Sequence, residues 1–200
     1  MTAIAVIGSG NIGGTLARKW AAANHDVTIG ARDPATATEL AERIGARAVS
    51  VEDAVAAGEV VLFAIPGAAM ASTLEAVGGA LHGKIAIDAA NNIREATTNN
   101  AAAFESHAPG ARYVRAFNTL GWELFDDPTV DGVQVDLFFC GPDGEPRATV
   151  EALIADAGLR PVWVGGPEEV DVVDALLRLW ITLVMKRQLG RRLAFKMIRD

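Results

Sequence analysis

A glycine-rich hexapeptide near the N-terminus, Gly8-Ser9-Gly10-Asn11-Ile12-Gly13, most constrains the fold of this chain. It follows a short apolar run, Ala3 to Ile7, that is typical of a buried strand, and it opens a segment, Asn11 to Ala23, with helical spacing of apolar residues. In that context the pattern G-x-G-x-x-G predicts a turn that binds a dinucleotide. Gly8 permits the tight turn, Gly10 lets the backbone approach a pyrophosphate, and Gly13 lets the helix pack closely on the strand. A glycine-rich turn that binds nothing is the alternative.

Strand-like and helical segments alternate along the rest of the chain. Further strands are expected at Asp26 to Gly30, Arg47 to Val49, Val60 to Ile65, Lys84 to Asp88, Arg112 to Phe117, Val135 to Phe139 and Arg160 to Val164. Helices are expected from Asp33-Pro34 to Ile44, from Ser50 to Ala57, over Ala68 to Leu81, over Glu145 to Ala157, and from Glu168 to the C-terminus. This alternation predicts an α/β fold with a doubly wound, mostly parallel sheet of the Rossmann type. We expect one dinucleotide-binding domain, residues 1–165, and a short C-terminal helical tail, residues 166–200, packed on it or on a dimer partner.

Charge and composition exclude several classes of function. The net charge of −7 argues against general binding of nucleic acids and against adhesion to an anionic membrane. One cysteine, Cys140, excludes an internal disulfide, and the three histidines lack the spacing of metal ligands, so we expect no metal site. No signal-peptide pattern and no apolar run of spanning length is present, which favours a cytoplasmic protein.

The end of the second predicted strand indicates which dinucleotide binds. Sites that prefer NAD usually place an acidic residue there, about 20 residues after the glycine motif, to bind the ribose 2′-hydroxyl. This chain instead has Ala31-Arg32 at that place, and Asp33 is expected to cap the next helix. The planar guanidinium of Arg32 is suited to a 2′-phosphate and to stacking on adenine. The sequence therefore favours NADP(H), and a solvated loop arginine is the alternative.

Three further strand ends have distinctive residues. Ala64-Ile65-Pro66 ends one strand, Asn91-Asn92 follows the strand that ends at Asp88, and Asn118-Thr119 follows Ala116-Phe117. Ligands of open α/β sheets bind beyond the carboxyl ends of the strands, so these residues are candidate contacts of the nicotinamide. Ordinary turn chemistry is the alternative. No Ser/His/Asp or Cys/His arrangement and no single general acid stands out, and hydride transfer between two held carbons needs none.

The C-terminal segment is basic in an otherwise acidic chain. Its cations are Lys186, Arg187, Arg191, Arg192, Lys196 and Arg199. They are suited either to a polyanionic ligand tail or, as we favour, to a solvated helix face with cations near its end. An apolar stripe before them is expected to be core or a dimer contact and comprises Val170, Val173, Leu176, Leu177 and Trp180.

Nearly the whole chain resembles the deazaflavin-dependent NADP oxidoreductase family, that is, NADPH:coenzyme F-420 oxidoreductase and its relatives. The motifs that support this resemblance are Gly8 to Gly13, Ala31-Arg32-Asp33-Pro34, Ala64-Ile65-Pro66, Asp88-Ala89-Ala90-Asn91, Ala116-Phe117-Asn118-Thr119, Cys140-Gly141, the Gly158 to Gly165 region, Leu179-Trp180-Ile181 and Ala194-Phe195-Lys196. Many relatives have Ser or Thr where this chain has Ala31, and some have a basic residue where it has Thr36. The stretch from Gly166 to Asp171 also departs from the usual pattern.

The resemblance implies direct hydride transfer between NADPH and a deazaflavin, coenzyme F-420, or a flavin, in a homodimer. Its cofactor contacts would be the glycine motif, Ala31-Arg32, Ala64 to Pro66, Asn91, and the group Ala116, Asn118 and Thr119. Two alternatives remain at this point. One is an NADPH-dependent reductase of a small imine or carbonyl compound, and the other is an NADP(H)-sensing protein without turnover.

Overall fold

The structure, a computed structural model, describes all residues from Met1 to Asp200. The chain forms two compact units, Met1–Val114 (unit 1) and Arg115–Asp200 (unit 2). None of its helices combines the length and apolar character that a membrane span requires.

Unit 1 alternates strands and helices from its first residues. Its strands are β1 (Ala3–Ile7), β2 (Asp26–Gly30), β3 (Arg47–Val49), β4 (Val60–Phe63), β5 (Ile85–Asp88) and β6 (Arg112–Arg115), whose last residue opens unit 2. Its α-helices are α1 (Asn11–Ala22), α2 (Pro34–Ile44), α3 (Val51–Ala57), α4 (Met70–Val77) and α5 (Ala101–His107). Two short 3-10 turns, Gly67–Ala69 and Gly78–Leu81, flank α4, so the single helix predicted over Ala68 to Leu81 is divided.

The strands of unit 1 lie in the order β6-β5-β4-β1-β2-β3, and the neighbouring pairs among β1 to β5 are parallel. This is the strand order of dinucleotide-binding folds. The central strand β1 pairs with β2 on one side and with β4 on the other. Successive strands are therefore added outward on one side of β1 up to β3, and on its other side from β4 onward. A crevice therefore opens beyond the carboxyl ends of β1 and β4, next to the glycine motif.

Both faces of β1 are buried, which explains why its sequence is apolar without alternation. Ala5 and Ile7 belong to a core cluster with residues of α3, α4 and α5. Because successive side chains point to opposite faces of a strand, Ile4 and Val6 face the other side. On that side Leu16 of α1 is fully buried. Helices cover both faces, as the alternating pattern predicts.

Unit 2 adds a second parallel pair and a hairpin. Its elements are α6 (Glu123–Asp126), β7 (Thr129–Val130), β8 (Val133–Gln134), β9 (Asp136–Cys140), α7 (Glu145–Asp156), β10 (Arg160–Gly165) and α8 (Val170–Ile181). Strands β9 and β10 are parallel, whereas Arg115 pairs with Cys140 in the antiparallel sense and β7 with β8 likewise. The predicted fold class, an α/β Rossmann-like fold with a mostly parallel sheet, is confirmed.

The prediction that helix continues to the C-terminus is wrong. Helix α8 passes into a single π-helical stretch, Thr182–Lys186, and residues 187–200 have no regular structure. The chain turns out of the helical conformation at Gln188 and Gly190, whose φ angles are 55° and 85°. Such positive values end a right-handed helix.

Three of the six basic residues named from the sequence lie outside any helix and bind acidic side chains. Arg191 donates to Glu123 Oε1 at 2.6 Å, Arg192 to Asp127 Oδ2 at 2.7 Å, and Lys196 to Asp136 Oδ1 at 2.7 Å. Each acceptor belongs to unit 2, so the tail is part of that unit. The boundary between the two compact units lies between Val114 and Arg115, and the division into a domain of residues 1–165 and a tail of residues 166–200 stays a prediction.

The apolar stripe of α8 has two environments. Val173, Leu177 and Trp180 are buried in the core of unit 2. Leu176 instead lines an open apolar groove of about 540 Å³, together with the exposed side chains of Val172 and Leu179.

Candidate cofactor site

The glycine loop needs glycine at two positions because of close backbone contacts. Gly8 has a φ of +108°, and a Cβ there would lie 2.4 Å from the carbonyl oxygen of Ala64. A Cβ on Gly13 would lie 1.9 Å from the carbonyl oxygen of Gly8. Neither distance is compatible with a side chain, so these glycines allow β1, β4 and α1 to approach each other, as predicted.

Gly10 has a different surrounding. No protein atom lies within 4 Å of the position that a Cβ on Gly10 would occupy. Gly10 is also the N-cap residue of α1, with no side-chain cap and no acidic residue in the first turn. The first N–H groups of this helix are therefore open to an anionic ligand, and the helix dipole favours negative charge at this place.

A groove of about 630 Å³ lies beyond the carboxyl ends of β1, β2 and β4. Its lining comprises Ile7, Gly8, Ser9, Gly10, Ala31, Arg32, Asp33, Thr36, Val51, Glu52, Ala64, Ile65, Pro66, Ala69, Ser72, Thr73, Ala76 and Val77. Eight residues predicted from the sequence as cofactor contacts come together here: Gly8, Ser9, Gly10, Ala31, Arg32, Ala64, Ile65 and Pro66. The volume is within the range of small-molecule and cofactor sites.

The other predicted contacts are not part of this lining. Asn11, Ile12 and Gly13 form the first turn of α1, directly after Gly10. Asn91 is half-buried in the loop after β5. The group Ala116, Asn118 and Thr119 belongs to unit 2, where all three are buried. For these residues, contact with the cofactor stays a prediction.

Arg32 is the only cationic residue of the groove lining. Its side chain is exposed and has no hydrogen-bonding or ionic partner within the protein. The neighbouring Asp33 is committed to α2, since its carboxylate accepts a hydrogen bond from Ala35 N at 3.0 Å. The predicted capping role of Asp33 is thus confirmed, and the guanidinium of Arg32 faces solvent with its donors unused.

A buried ion pair, not predicted from the sequence, lies beside the loop of unit 2 that contains Ala116, Asn118 and Thr119. Arg115, fully buried, lies 3.0 Å from Asp174 of α8, whose side chain is 2% exposed. Oriented to satisfy its neighbours, the Asn118 amide oxygen accepts from Arg115 Nη2 at 3.2 Å. Phe117 between them has a φ of 59°, which side-chain-bearing residues rarely adopt. The loop therefore has one fixed conformation, in which the hydroxyl of Thr119 is buried without a hydrogen-bond partner.

A comparison with protein families identifies the N-terminal part of the chain. Residues 3–92 match the model of the family described as NADP oxidoreductase, coenzyme F-420-dependent. These are 90 of the 200 residues, and over them the chain is similar to that family. The resemblance predicted from the motifs is confirmed, and the protein is an NADP-dependent oxidoreductase.

Solved structures share the fold of this oxidoreductase over its full length. A candidate F-420-dependent NADP reductase from Arthrobacter sp. FB24 has 26% identity and a TM-score of 0.86, with 100% of both chains covered. The hypothetical protein SMa0349 from Sinorhizobium meliloti has 27% identity and a TM-score of 0.71, covering 100% of this chain and 97% of its own. An imine reductase from Aspergillus terreus, in complex with NADPH4, has 23% identity and a TM-score of 0.72. There, 93% of this chain matches 63% of the imine reductase, which shows a shared fold. No curated protein sequence matches the chain.

Proposed function

We propose that this oxidoreductase transfers hydride between NADP(H) and a deazaflavin, coenzyme F-420, or a flavin. The observation that supports it most is the convergence of the glycine loop, the uncapped start of α1 and the unpartnered Arg32 on one groove. The family match over residues 3–92 adds that NADP and coenzyme F-420 are the reactants of that family.

The residues of the groove fit NADP(H) by their chemistry. We assign the pyrophosphate to the backbone of Gly8 to Gly13 at the start of α1, because open N–H groups and the helix dipole both attract phosphate there. We assign the 2′-phosphate to Arg32. The nicotinamide would then lie toward the ends of β4 and β5, near Ile65-Pro66 and Asn91.

The choice of a deazaflavin or flavin as acceptor is based on the family match, and the side chains of the groove are compatible with it. Its lining has no histidine, cysteine, lysine or tyrosine, and its only two acids are the capping Asp33 and the exposed Glu52. Reduction of a carbonyl compound requires a proton donor for the developing alkoxide, whereas hydride transfer between two ring systems needs mainly alignment. When bound, NADPH supplies the hydride. The chain's own contribution would be to hold the nicotinamide in a fixed orientation.

We also propose a cytoplasmic homodimer. The support is the family resemblance, together with the apolar groove of unit 2 that Val172, Leu176 and Leu179 line. Light scattering at several protein concentrations tests the oligomeric state.

The reaction is tested by mixing the protein with NADPH and coenzyme F-420 and following the visible absorbance band of the oxidised deazaflavin. We expect the band to disappear only when protein and NADPH are both present. The Gly10→Ala variant serves as the control, because it adds a methyl group at a residue that lines the groove and meets no protein atom there. If wild-type protein binds NADPH tightly but reduces neither deazaflavin nor flavin, the proposed reaction is wrong, and a protein that senses NADP(H) becomes the better description.

A further inference from the structure

A fully buried carboxylate ends strand β5, and the groove lining does not include it. Asp88 is 0% exposed. Its Oδ1 accepts from the backbone N–H of Ala90 at 3.0 Å, and its Oδ2 accepts from the backbone N–H of Asn100 at 3.0 Å and from the hydroxyl of Tyr113 at 3.1 Å. The side-chain amide of Asn100 also donates to both oxygens, at 3.2 and 3.3 Å. Asp88 thus fixes both ends of the loop between β5 and α5.

Asn100 extends this contact toward the surface. Its amide nitrogen is occupied by Asp88, so its Oδ1 is left as an acceptor, and Asn92 Nδ2 donates to it at 2.9 Å. We refer to Asp88, Asn100 and Asn92 as the amide relay. The Asn100 amide donates to Asp88 and accepts from Asn92, so Asn100 links the position of Asn92 to that of the buried carboxylate.

The outer end of the amide relay lies against the loop after β4. A Cβ on Gly67 would be only 2.1 Å from Asn92 Oδ1 and 3.2 Å from the carbonyl carbon of Asn91. Gly67 directly follows Pro66, which lines the groove. The relay thus joins the two loops that bracket the predicted nicotinamide position, one containing Ile65-Pro66 and the other Asn91.

A purely structural role would not require a buried carboxylate at the end of β5. A buried carboxylate is costly unless its lone pairs are satisfied, and an apolar residue at the end of β5 would avoid that cost. The partners of Asp88 are almost all in the loop that includes Asn91, apart from Tyr113 at the adjacent strand. The carboxylate therefore fixes a loop conformation at the ligand edge of the sheet, where binding residues are commonly placed.

We infer that the amide relay positions the nicotinamide-side rim of the cofactor groove, and that Asp88, Asn100 and Asn92 are positioning residues for hydride transfer. The inference rests on the proposed function, because it takes the nicotinamide to lie between Ile65-Pro66 and Asn91. Arg32, to which the 2′-phosphate is assigned, follows β2, and strands β4 and β1 lie between β2 and β5 in the sheet. Binding of the adenosine and 2′-phosphate end should therefore not depend on the relay.

The test compares the affinities of NADPH and of 2′,5′-ADP, which has the adenosine and 2′-phosphate but no nicotinamide. Two variants interrupt the relay near the surface: Asn92→Ala removes its last member, and Gly67→Ala displaces the Asn92 side chain. We expect Kd for NADPH to rise about 3- to 10-fold, the loss of roughly one hydrogen bond's worth of positioning, with Kd for 2′,5′-ADP unchanged within about twofold. The matched control is Gly79→Ala, since no atom lies within 4 Å of its added Cβ.

The two ligands distinguish positioning from general stability. If the relay only supports the fold, the variants should lower the affinities for NADPH and 2′,5′-ADP equally, or lower the melting temperature and leave both affinities unchanged. Either result overturns the inference. Asp88→Asn extends the test to the buried end, where the same change in the ratio of the two affinities is expected. Failure of the proposed function is a separate result. If wild-type protein binds NADPH but does not reduce deazaflavin, the ratio of the affinities for NADPH and 2′,5′-ADP can still be measured.

Discussion

Ser9 Oγ lies 3.1 Å from Thr36 Oγ1, which joins the glycine loop to the first turn of α2. Thr36 Oγ1 already donates to the carbonyl oxygen of Asp33 at 3.0 Å, so Ser9 is the donor of the pair. Both hydroxyls line the groove beside Arg32. At the position of Thr36 this chain therefore offers a hydroxyl, and Arg32 is the only positive charge in the groove lining.

The first prediction concerns Arg32. Replacing it by alanine should weaken NADPH binding about 10- to 100-fold, since hydrogen bonds to charged groups contribute about 1.5–3 kcal/mol. NADH, which has no 2′-phosphate, should bind with nearly unchanged affinity. Titration of nicotinamide fluorescence with both cofactors measures the two constants.

Arg43→Ala is the matched control for this change. Arg43 is exposed in the last turn of α2, the helix that follows Arg32, and it lies outside the groove lining, so its removal alters the net charge equally. If Arg43→Ala reduced the preference for NADPH as much as Arg32→Ala does, a general charge effect would replace the assigned contact.

The second prediction separates two glycines of the same motif. Gly13→Ala should destabilise the fold by about 1–3 kcal/mol or more, because its methyl group would overlap the carbonyl oxygen of Gly8. Gly10→Ala should leave stability within about 0.5 kcal/mol, because its methyl group meets no protein atom. It should nevertheless abolish NADPH binding, because the methyl group occupies the space assigned to the pyrophosphate.

Thermal unfolding and NADPH titration of both variants test this separation. A lower melting temperature for Gly13→Ala, with an unchanged one for Gly10→Ala, is the expected pattern. Tight NADPH binding by Gly10→Ala would show that the pyrophosphate does not lie over that backbone.

Local sequence signals were sufficient to predict the elements around the glycine loop. The bounds of β1, β2 and α2 agree with those predicted, since buried strands, a proline at the helix start and a glycine at its end are short-range features. The groove residues that were predicted lie directly after such strands. Ser72 and Thr73, in contrast, reach the groove only because α4 packs beside it, which no local pattern shows.

Long-range contacts account for what the sequence did not reveal. Helix α5 was not predicted, because Phe104 is the only buried residue among its seven. The residue before it, Asn100, is held by a hydrogen bond from its backbone N–H to Asp88, which is distant in sequence. The tail was predicted as helix because its residues favour one. Its actual path follows ion pairs with Glu123 and Asp127, which are distant in sequence.

The third prediction concerns the buried pair of Arg115 and Asp174. Asp174→Ala should lower the free energy of unfolding by about 3–5 kcal/mol, because it leaves an uncompensated guanidinium in the core. The double variant Arg115→Met with Asp174→Leu should lose much less, since neither charge then remains buried. Urea denaturation followed by tryptophan fluorescence gives the three values.

The exposed pair of Arg147 and Asp143 is the control for the ion pair in unit 2. Their side chains are 36% and 69% exposed, so Asp143→Ala should cost less than about 1 kcal/mol. Equal costs for Asp143→Ala and Asp174→Ala would contradict the structural importance given to the buried pair.

The fourth prediction is a pH dependence that originates at Asp136. Burial alone would raise the pKa of this carboxyl group, but hydrogen bonds from Arg160, Lys196 and the backbone N–H of Met197 outweigh it and lower the pKa below its usual value. A carboxyl group whose pKa is lower in the folded state adds stability above its unfolded pKa of about 4, and that stability disappears as the pH falls through the folded pKa. Asp136→Asn should therefore be about 3 kcal/mol less stable than wild type near neutral pH, and the difference should shrink below about pH 4.

Urea denaturation across the acidic range measures this difference in stability. Asp26→Asn is the control, because the pair of Asp26 with Arg47 is largely exposed. A difference between Asp136→Asn and wild type that stays constant from neutral to strongly acidic pH would mean that the negative charge of Asp136 does not hold the C-terminal tail in place.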